Sequence, residues 1–200
     1  NYFGQLGYGT TSTKGDGLNE MGNALNTVNF GVGLAAIALS LGQYNTCVML
    51  TDGSIKCWGH NYYGQLGYED TENRGDEPGE MGDDLLFVQL GTDRTAVSVT
   101  AGVSHHCALL NNGDVKCWGS GGSGRLGYGN TNKVGDKEGQ MGDSLPAVLV
   151  TGVPSVTPTA APTAVPTAAP TAAPTAVPTV APTAAPTVAP TVAPTGAPTV

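Results

Sequence analysis

Apolar and polar residues alternate over short stretches of the chain. In "TAVSVTAG" at 95–102 the alternation has period two, which predicts a half-buried β-strand. The stretches "CALL" at 107–110 and "VKCWG" at 115–119 lie on either side of a turn, and 30 glycines are too many for long helices. The longest apolar run, at 32–41, is about half the ~20 residues that cross a bilayer. It predicts a buried strand, and no membrane insertion by this segment.

The pattern of strands recurs every sixty residues. "GQLGY" at 4–8 returns as "GQLGY" at 64–68 and as "GRLGY" at 124–128, and Met21, Met81 and Met141 keep the same offset. A fixed period of this length is typical of repeat architectures, in which each repeat packs against its neighbours. The sequence therefore predicts an all-β chain in which each period forms one small antiparallel sheet.

Two hairpins place cysteines ten positions apart. If Thr51-Asp52-Gly53 forms a three-residue loop with Gly53 in the left-handed region, Cys47 lies opposite Cys57 in a non-hydrogen-bonded pair, where a disulfide fits. The same turn at Asn111-Asn112-Gly113 pairs Cys107 with Cys117. A two-residue loop would separate the thiols. Free thiols and a zinc site are the alternatives to two disulfides, although the nine-residue gap disfavours zinc.

The stretches "NTCVMLTDGSIKCWGHNYYGQLG" at 45–67 and "HHCALLNNGDVKCWGSGGSGRLG" at 105–127 resemble the repeat family of the regulator of chromosome condensation. The likeness covers about residues 1–150, and it implies four-stranded blades of a seven-bladed β-propeller. The resemblance therefore implies a partial propeller of about two and a half blades over 1–152, with the remaining blades in a missing part of a longer chain. The "GD-x-x-GEMGD-x-L" segments are similar to repeats of secreted or surface proteins of microbes.

The last part of the chain differs in composition. All Lys, Arg, Asp and Glu residues lie in 1–150, and Pro158 begins a repeat of "P-T-x-x" that continues to the end. Frequent proline with neither charge nor aromatic residues predicts a disordered polyproline-like stalk over 153–200. The composition resembles mucin-like stalks and hydroxyproline glycoproteins. It makes these threonines candidates for O-glycosylation: Thr159, Thr163, Thr167, Thr171, Thr175, Thr179, Thr183, Thr187, Thr191, Thr195 and Thr199.

Three features invite a chemical interpretation, and each has a structural alternative that we favour. The acidic segment 68–85 is interpreted as a solvated turn rather than a calcium site, with Asp16, Asp76 and Asp136 bonding local amides. His106 is interpreted as a hydrogen-bonding residue at a strand edge. Trp58 and Trp118 are interpreted as packing residues between sheets.

The loops that follow the tryptophans differ between copies, which makes them candidate partner-binding loops. Their residues are His60, Asn61, Tyr62 and Tyr63 in one copy and Ser120, Gly121, Gly122 and Ser123 in the next.

The composition limits the functions that are open to the chain. Eight basic residues are scattered among sixteen acidic ones, which argues against nucleic-acid binding. No catalytic constellation, metal site or cofactor site is evident, so we expect no enzyme. We expect a non-enzymatic module that binds a protein or a carbohydrate, on a stalk at the cell surface or outside the cell. The alternatives are an intracellular regulator resembling a guanine-nucleotide exchange factor for a small GTPase, and the binding region of a larger secreted enzyme.

Overall fold

The structure is a computed structural model, and it describes residues 1–149. It contains two three-stranded antiparallel sheets, each with its strands in sequential order. The first sheet consists of β1 (Ala36–Leu41), β2 (Asn45–Leu50) and β3 (Ile55–Gly59), and the second of β4 (Ala96–Ala101), β5 (His105–Leu110) and β6 (Val115–Gly119). Short 3₁₀ turns lie at Gly22–Ala24, Gly82–Asp84, Gly122–Gly124 and Gly142–Ser144. The all-β prediction is confirmed over these residues.

The register of both hairpins is the one that the three-residue turn predicts. Leu50 N–H donates to Ser54 C=O over 2.9 Å, and Gly53 has a φ of +79°. Cys47 therefore faces Cys57 across the hairpin, with 4.1 Å between their Cα atoms, and the two form a disulfide. Cys107 and Cys117 form the second disulfide. The predicted disulfide bonds are confirmed, and they tie the middle strand of each sheet to its outer strand.

Each sheet has three strands, where the family resemblance implied four. The fourth strand is reduced to one isolated bridge, Gly59 to Arg74 in the first sheet. Next to it, the Tyr68 hydroxyl accepts from Cys57 N–H and donates to Cys57 C=O, each over 2.9 Å. Tyr128 does the same at Cys117. One side chain thus satisfies the two backbone groups that a fourth strand would otherwise pair with.

The prediction that 32–41 forms a buried strand was wrong about its burial. Strand β1 forms, but Leu39 is 63% exposed and Leu41 is 67% exposed. The counterpart of Leu39 sixty residues later, Val99, is half-buried because it packs against the core next to the first sheet. Residues 1–35 form no sheet that could cover Leu39 in the same way. Burial of the first strand of a sheet therefore depends on a preceding sheet, and a local apolar run in the sequence does not reveal whether that sheet is present.

A repeated contact joins each sheet to the loop of the preceding repeat. The Gln65 carbonyl accepts from Trp118 Nε1 over 3.0 Å and from His106 Nδ1 over 3.0 Å. Gly67 lies on the tryptophan ring, where a Cβ would come within 2.9 Å of Nε1. In the first sheet the Gln5 carbonyl accepts from Trp58 Nε1 and from Thr46 Oγ1, over 3.0 and 2.9 Å. We call this contact the glutamine–tryptophan seam.

The seam corrects the interpretation of His106 as a strand-edge residue. His106 lies in β5, the middle strand, and its side chain is fully buried. Its ring stacks near that of Trp118, with 6.0 Å between the ring centroids. Thr46 takes the same place in the first sheet, which shows that the position needs a hydrogen-bond donor rather than an imidazole. The two tryptophans pack between repeats, as the sequence predicts.

We predict that Tyr68→Phe lowers the free energy of unfolding by about 1–3 kcal/mol, because two backbone groups of Cys57 lose their partner. The matched control is Tyr8→Phe, since the Tyr8 hydroxyl donates only to the exposed carbonyl of Asn26. We expect the control to change the free energy by less than about 0.5 kcal/mol. Urea unfolding of the full chain measures both, and equal losses would contradict the role given to Tyr68.

We predict that His106 makes the stability depend on pH. Burial lowers the pKa of His106 to about 4, whereas an exposed imidazole has a pKa of about 6.5. The unfolded chain therefore binds the proton first, and stability is lost as the pH falls from about 6.5 towards about 4. At about pH 5 the free energy of unfolding should be lower by about 2 kcal/mol.

The control for this prediction is His106→Thr, because Thr46 holds the equivalent bond in the first sheet. Urea unfolding at neutral and mildly acidic pH compares the two proteins. The variant should lose about 2 kcal/mol less than the wild type over this interval. Parallel losses in both proteins would mean that other groups cause the pH dependence.

Candidate functional site

The acidic segment 68–85 is held together by one carboxylate that binds three amides. Glu80 Oε2 accepts from the N–H groups of Gly75, Asp76 and Glu77 over 2.9, 3.1 and 3.0 Å. In the next repeat Gln140 Oε1 accepts from the three equivalent N–H groups over 2.7–3.1 Å. Since glutamine replaces glutamate, the loop needs an acceptor oxygen and not a charge.

The prediction that Asp16, Asp76 and Asp136 bond the local amides was wrong. Asp16 accepts from the Thr13 hydroxyl, and Asp136 forms an ion pair with Lys133 at 2.9 Å. The amide acceptor is instead the Glu or Gln four residues later, because its longer side chain reaches back over the turn. Within residues 1–149, no group of three or more His, Cys, Asp or Glu side chains is placed to hold a metal ion.

A buried lysine in each sheet binds backbone carbonyls rather than a ligand. Lys56 Nζ donates to Phe30 C=O over 3.0 Å and to Gly82 C=O over 2.6 Å, and it lies 4.6 Å from the Phe87 ring centroid. Burial lowers the pKa of Lys56, and the charge of Asp83 opposes that shift. Lys116 makes the equivalent bonds to Leu90 and Gly142. Each lysine thus binds the carbonyls of two loops that pack against its sheet, and its role is to stabilise the fold.

The predicted partner-binding loops are only partly accessible. Asn61 is fully buried, and its side chain holds the loop by accepting from Leu66 N–H and donating to Asp70. Gly121 is buried as well. These two residues are therefore corrected from partner-binding to structural positions. Tyr62 and Tyr63 are 63% and 37% exposed, and Ser120, Gly122 and Ser123 are partly or fully exposed around a 3₁₀ turn.

Aromatic rings gather around the loop 60–63. The Phe3 ring lies 4.3 Å from that of His60 and 5.4 Å from that of Tyr44, measured between centroids. The rings of His60 and Tyr62 are parallel to within 6° at 6.4 Å. We call this surface the aromatic ledge; its residues are Tyr2, Phe3, Tyr44, His60, Tyr62 and Tyr63.

The sequence predicted half of the aromatic ledge. His60, Tyr62 and Tyr63 were among the candidate loop residues, whereas Tyr2, Phe3 and Tyr44 were not. The pair Tyr2-Phe3 has the same repeat position as Tyr62-Tyr63, which was a usable signal. Tyr44 comes from the β1–β2 loop, and only the fold brings it to the others. The equivalent loop of the second sheet carries Ser120, Gly122 and Ser123, and so has no aromatic ring.

A second concave surface lies beside the first seam. It is a groove of about 490 Å³ between the loop 7–9 and the loop 78–81. Its polar lining comes from Tyr8, Asn26, Thr27 and Asn29. The sequence did not reveal this groove, because only the fold brings residues 7–9 and 26–29 close to 78–81. We call it the Gly9 groove.

Two further observations concern the tail and membrane-spanning helices. The candidate O-glycosylation threonines, Thr159 to Thr199, lie outside the described residues, as does the whole of the predicted stalk over 153–200. In the part of the chain that the structure describes, no helix has the length and apolar character needed to cross a bilayer.

Two profiles of the regulator of chromosome condensation (RCC1) repeat match the chain. One matches residues 36–65 and 96–125, which hold the two sheets and their following loops, and the other matches residues 52–109. The matches therefore include both cysteine hairpins and both tryptophans.

Curated relatives and a solved structure are similar to the chain over part of their length. The chain is 31% identical over 132 residues to the human probable E3 ubiquitin-protein ligase HERC4, which covers 66% of this chain and 11% of that protein. It is 32% identical over 100 residues to the zebrafish E3 ubiquitin-protein ligase MYCBP2, covering 50% of this chain and 2% of the relative. The crystal structure of human WBSCR16 superposes with a TM-score of 0.52 at 16% identity, over 78% of this chain and 34% of that one.

The chain thus spans a small part of the curated relatives that it matches, and the structural likeness concerns the fold. The sixty-residue repeat, the hairpin register, the seam and the profile matches all indicate the same kind of repeat. The two sheets are β-propeller blades of the regulator of chromosome condensation type, and residues 36–125 belong to this repeat family.

Proposed function

We propose that these blades form a non-enzymatic binding module whose contact surface is the aromatic ledge. The observation that carries the proposal is the exposure of rings in one loop cluster: Tyr2 is 80% exposed, Tyr62 63% and Tyr44 42%. Folded chains rarely leave contiguous apolar surface uncovered unless a partner binds there. The exposed rings therefore make the ledge suited to recognition.

The chemistry of the ledge favours broad, neutral contact. Tyrosines supply large contact area with few rotatable bonds, and their hydroxyls can still form hydrogen bonds. A nearby cation, Lys133, lies 5.6 Å from the Tyr62 ring centroid and pairs with Asp136. A ring surface with hydroxyl groups suits either the flat face of a neutral sugar or an aromatic and proline-containing protein segment. Both fit the proposal of a protein or carbohydrate partner.

The proposed setting is the cell surface or the extracellular space, with 153–200 as a stalk. The two disulfides support it, because disulfides persist in oxidising compartments. The Thr-Pro composition of the stalk supports it as well. The relatives named as ubiquitin ligases favour a second proposal, in which these blades are the binding region of a larger protein with a separate catalytic domain.

We predict that Tyr62→Ser combined with Tyr63→Ser weakens partner binding by about tenfold or more, since exposed tyrosines commonly dominate such contacts. The matched control is Ser120→Ala with Ser123→Ala, in the loop that has no aromatic ring. The probes are an array of neutral oligosaccharides and purified surfaces of the producing cells, with the labelled full chain as the reporter. If the tyrosine variant binds as the wild type does, or if the wild type binds neither probe, the ledge is not the contact surface.

The extracellular setting predicts a defined chemical state of the native protein. Protein isolated from its producing cells should show no alkylatable thiol until it is reduced, because Cys47, Cys57, Cys107 and Cys117 are all paired. Mass spectrometry should also find sugar on the threonines of 153–200. Four reactive thiols together with an unmodified tail would instead support the intracellular regulator.

A further inference from the structure

The Gly9 groove and its counterpart in the next repeat differ at one position. In the next repeat Glu69 stands where the first has Gly9, and Glu69 Oε1 accepts from Met141 N–H over 2.7 Å. That bond joins residues of two neighbouring repeats, and the chain thereby supplies its own carboxylate to the groove.

The backbone around the Gly9 groove has the same conformation as its counterpart. Gly9 has a φ of +65° and Glu69 a φ of +64°. Met81 has φ and ψ of −114° and 179°, and Met141 has −107° and −171°. The Met81 N–H must therefore point into the groove as the Met141 N–H does. Among residues 1–149 it has no hydrogen-bond acceptor.

The lining of the Gly9 groove is also more polar than that of its counterpart. Asn26 and Thr27 stand where the next repeat has Leu86 and Phe87. Amide and hydroxyl side chains offer donors and acceptors for a ligand with several hydroxyl groups. The volume of about 490 Å³ falls in the usual range of small-molecule sites, roughly 300–1,000 Å³.

The acidic residues near the Gly9 groove are occupied with backbone donors. Glu80 binds three amides of 75–77, and Asp83 Oδ1 accepts from Val32 N–H over 3.0 Å. The exposed Glu77 remains a source of repulsion, which salt screens. In the neighbouring repeat a carboxylate occupies this position on the same backbone, with Lys137 in the place of Glu77.

We propose that the Gly9 groove binds the carboxylate of a sugar acid of the hexuronate class, with Met81 N–H as the donor to the carboxylate and the Asn26, Thr27 and Asn29 side chains facing the sugar hydroxyls. The missing side chain at Gly9 leaves room for the ligand carboxylate in the place that Glu69 fills in the next repeat. This site is separate from the aromatic ledge.

The test follows the Met81 amide resonance of the full chain by NMR during titration with sodium glucuronate. Glucose, which has no carboxylate, and acetate, which has no sugar, are the matched probes. We expect the Met81 amide to shift with glucuronate, to stay in place with glucose, and to respond to acetate about tenfold more weakly. A Met81 amide that ignores glucuronate, or that moves equally with glucose, overturns the site; an equal response to acetate overturns the sugar class.

Two variants taken from the chain's own repeats sharpen the test. Gly9→Glu should fill the groove from within and weaken the glucuronate response by about tenfold or more. It should also lower thermal stability slightly, because Gly9 has a positive φ and a Cβ there would lie 3.0 Å from the Glu77 carbonyl oxygen. Glu69→Gly should create a second, weaker response at the Met141 amide, because Leu86 and Phe87 replace the polar lining there. An unchanged glucuronate response in Gly9→Glu overturns the proposal. The Tyr62→Ser, Tyr63→Ser protein should keep the Met81 response, so failure of the ledge and failure of the groove can be distinguished.

Discussion

The glutamine–tryptophan seam is the interaction on which the rest of the structure depends. A three-stranded sheet of five- and six-residue strands is too small to bury a core alone, so each sheet must be covered by the repeat before it. The carbonyl of Gln65 fixes that contact by binding two donors of the next sheet, Trp118 and His106. Gly67 lets the loop approach the indole ring closely. Because the seam recurs at Gln5, one set of contacts stacks successive repeats.

The seam also explains where recognition surfaces can form. Most of the residues that make it are buried, and they have equivalents in both seams, while the residues just beside it differ from one repeat to the next. His60, Tyr62 and Tyr63 lie immediately before Gln65 in the chain, and Gly9 follows the equivalent loop of the first repeat. Both candidate sites therefore lie next to the seam, whose contacts stay the same when the residues of the sites differ. Such an arrangement allows a repeat to alter its ligand without altering its fold.

Much of the fold follows from local sequence, and the remainder depends on contacts between repeats. The register of the cysteine hairpins could be predicted because the glycine turn fixes which residues face each other. The burial of Leu39 could not, because a strand of alternating apolar residues looks the same whether or not a neighbour covers it. The sequence predicts that the aspartates after each turn glycine bind the local amides, but Glu80 does so instead. Composition does not show which side chain is long enough to reach those amides. The burial of Asn61 could not be predicted either, because the sequence does not show whether the side chain of a loop asparagine points to solvent or into the fold.

The tyrosine hydroxyl at the outer strand has a consequence for how copies of the chain meet. An unpaired strand edge is an open template on which other chains can add and polymerise. The hydroxyls of Tyr68 and Tyr128 bind the backbone groups of Cys57 and Cys117 in the middle of that edge, so strand addition there would first have to displace a half-buried phenol. One tyrosine side chain per repeat thereby protects the outer edge of the sheet from strand addition. Any association through this side must use side-chain surfaces instead of main-chain pairing.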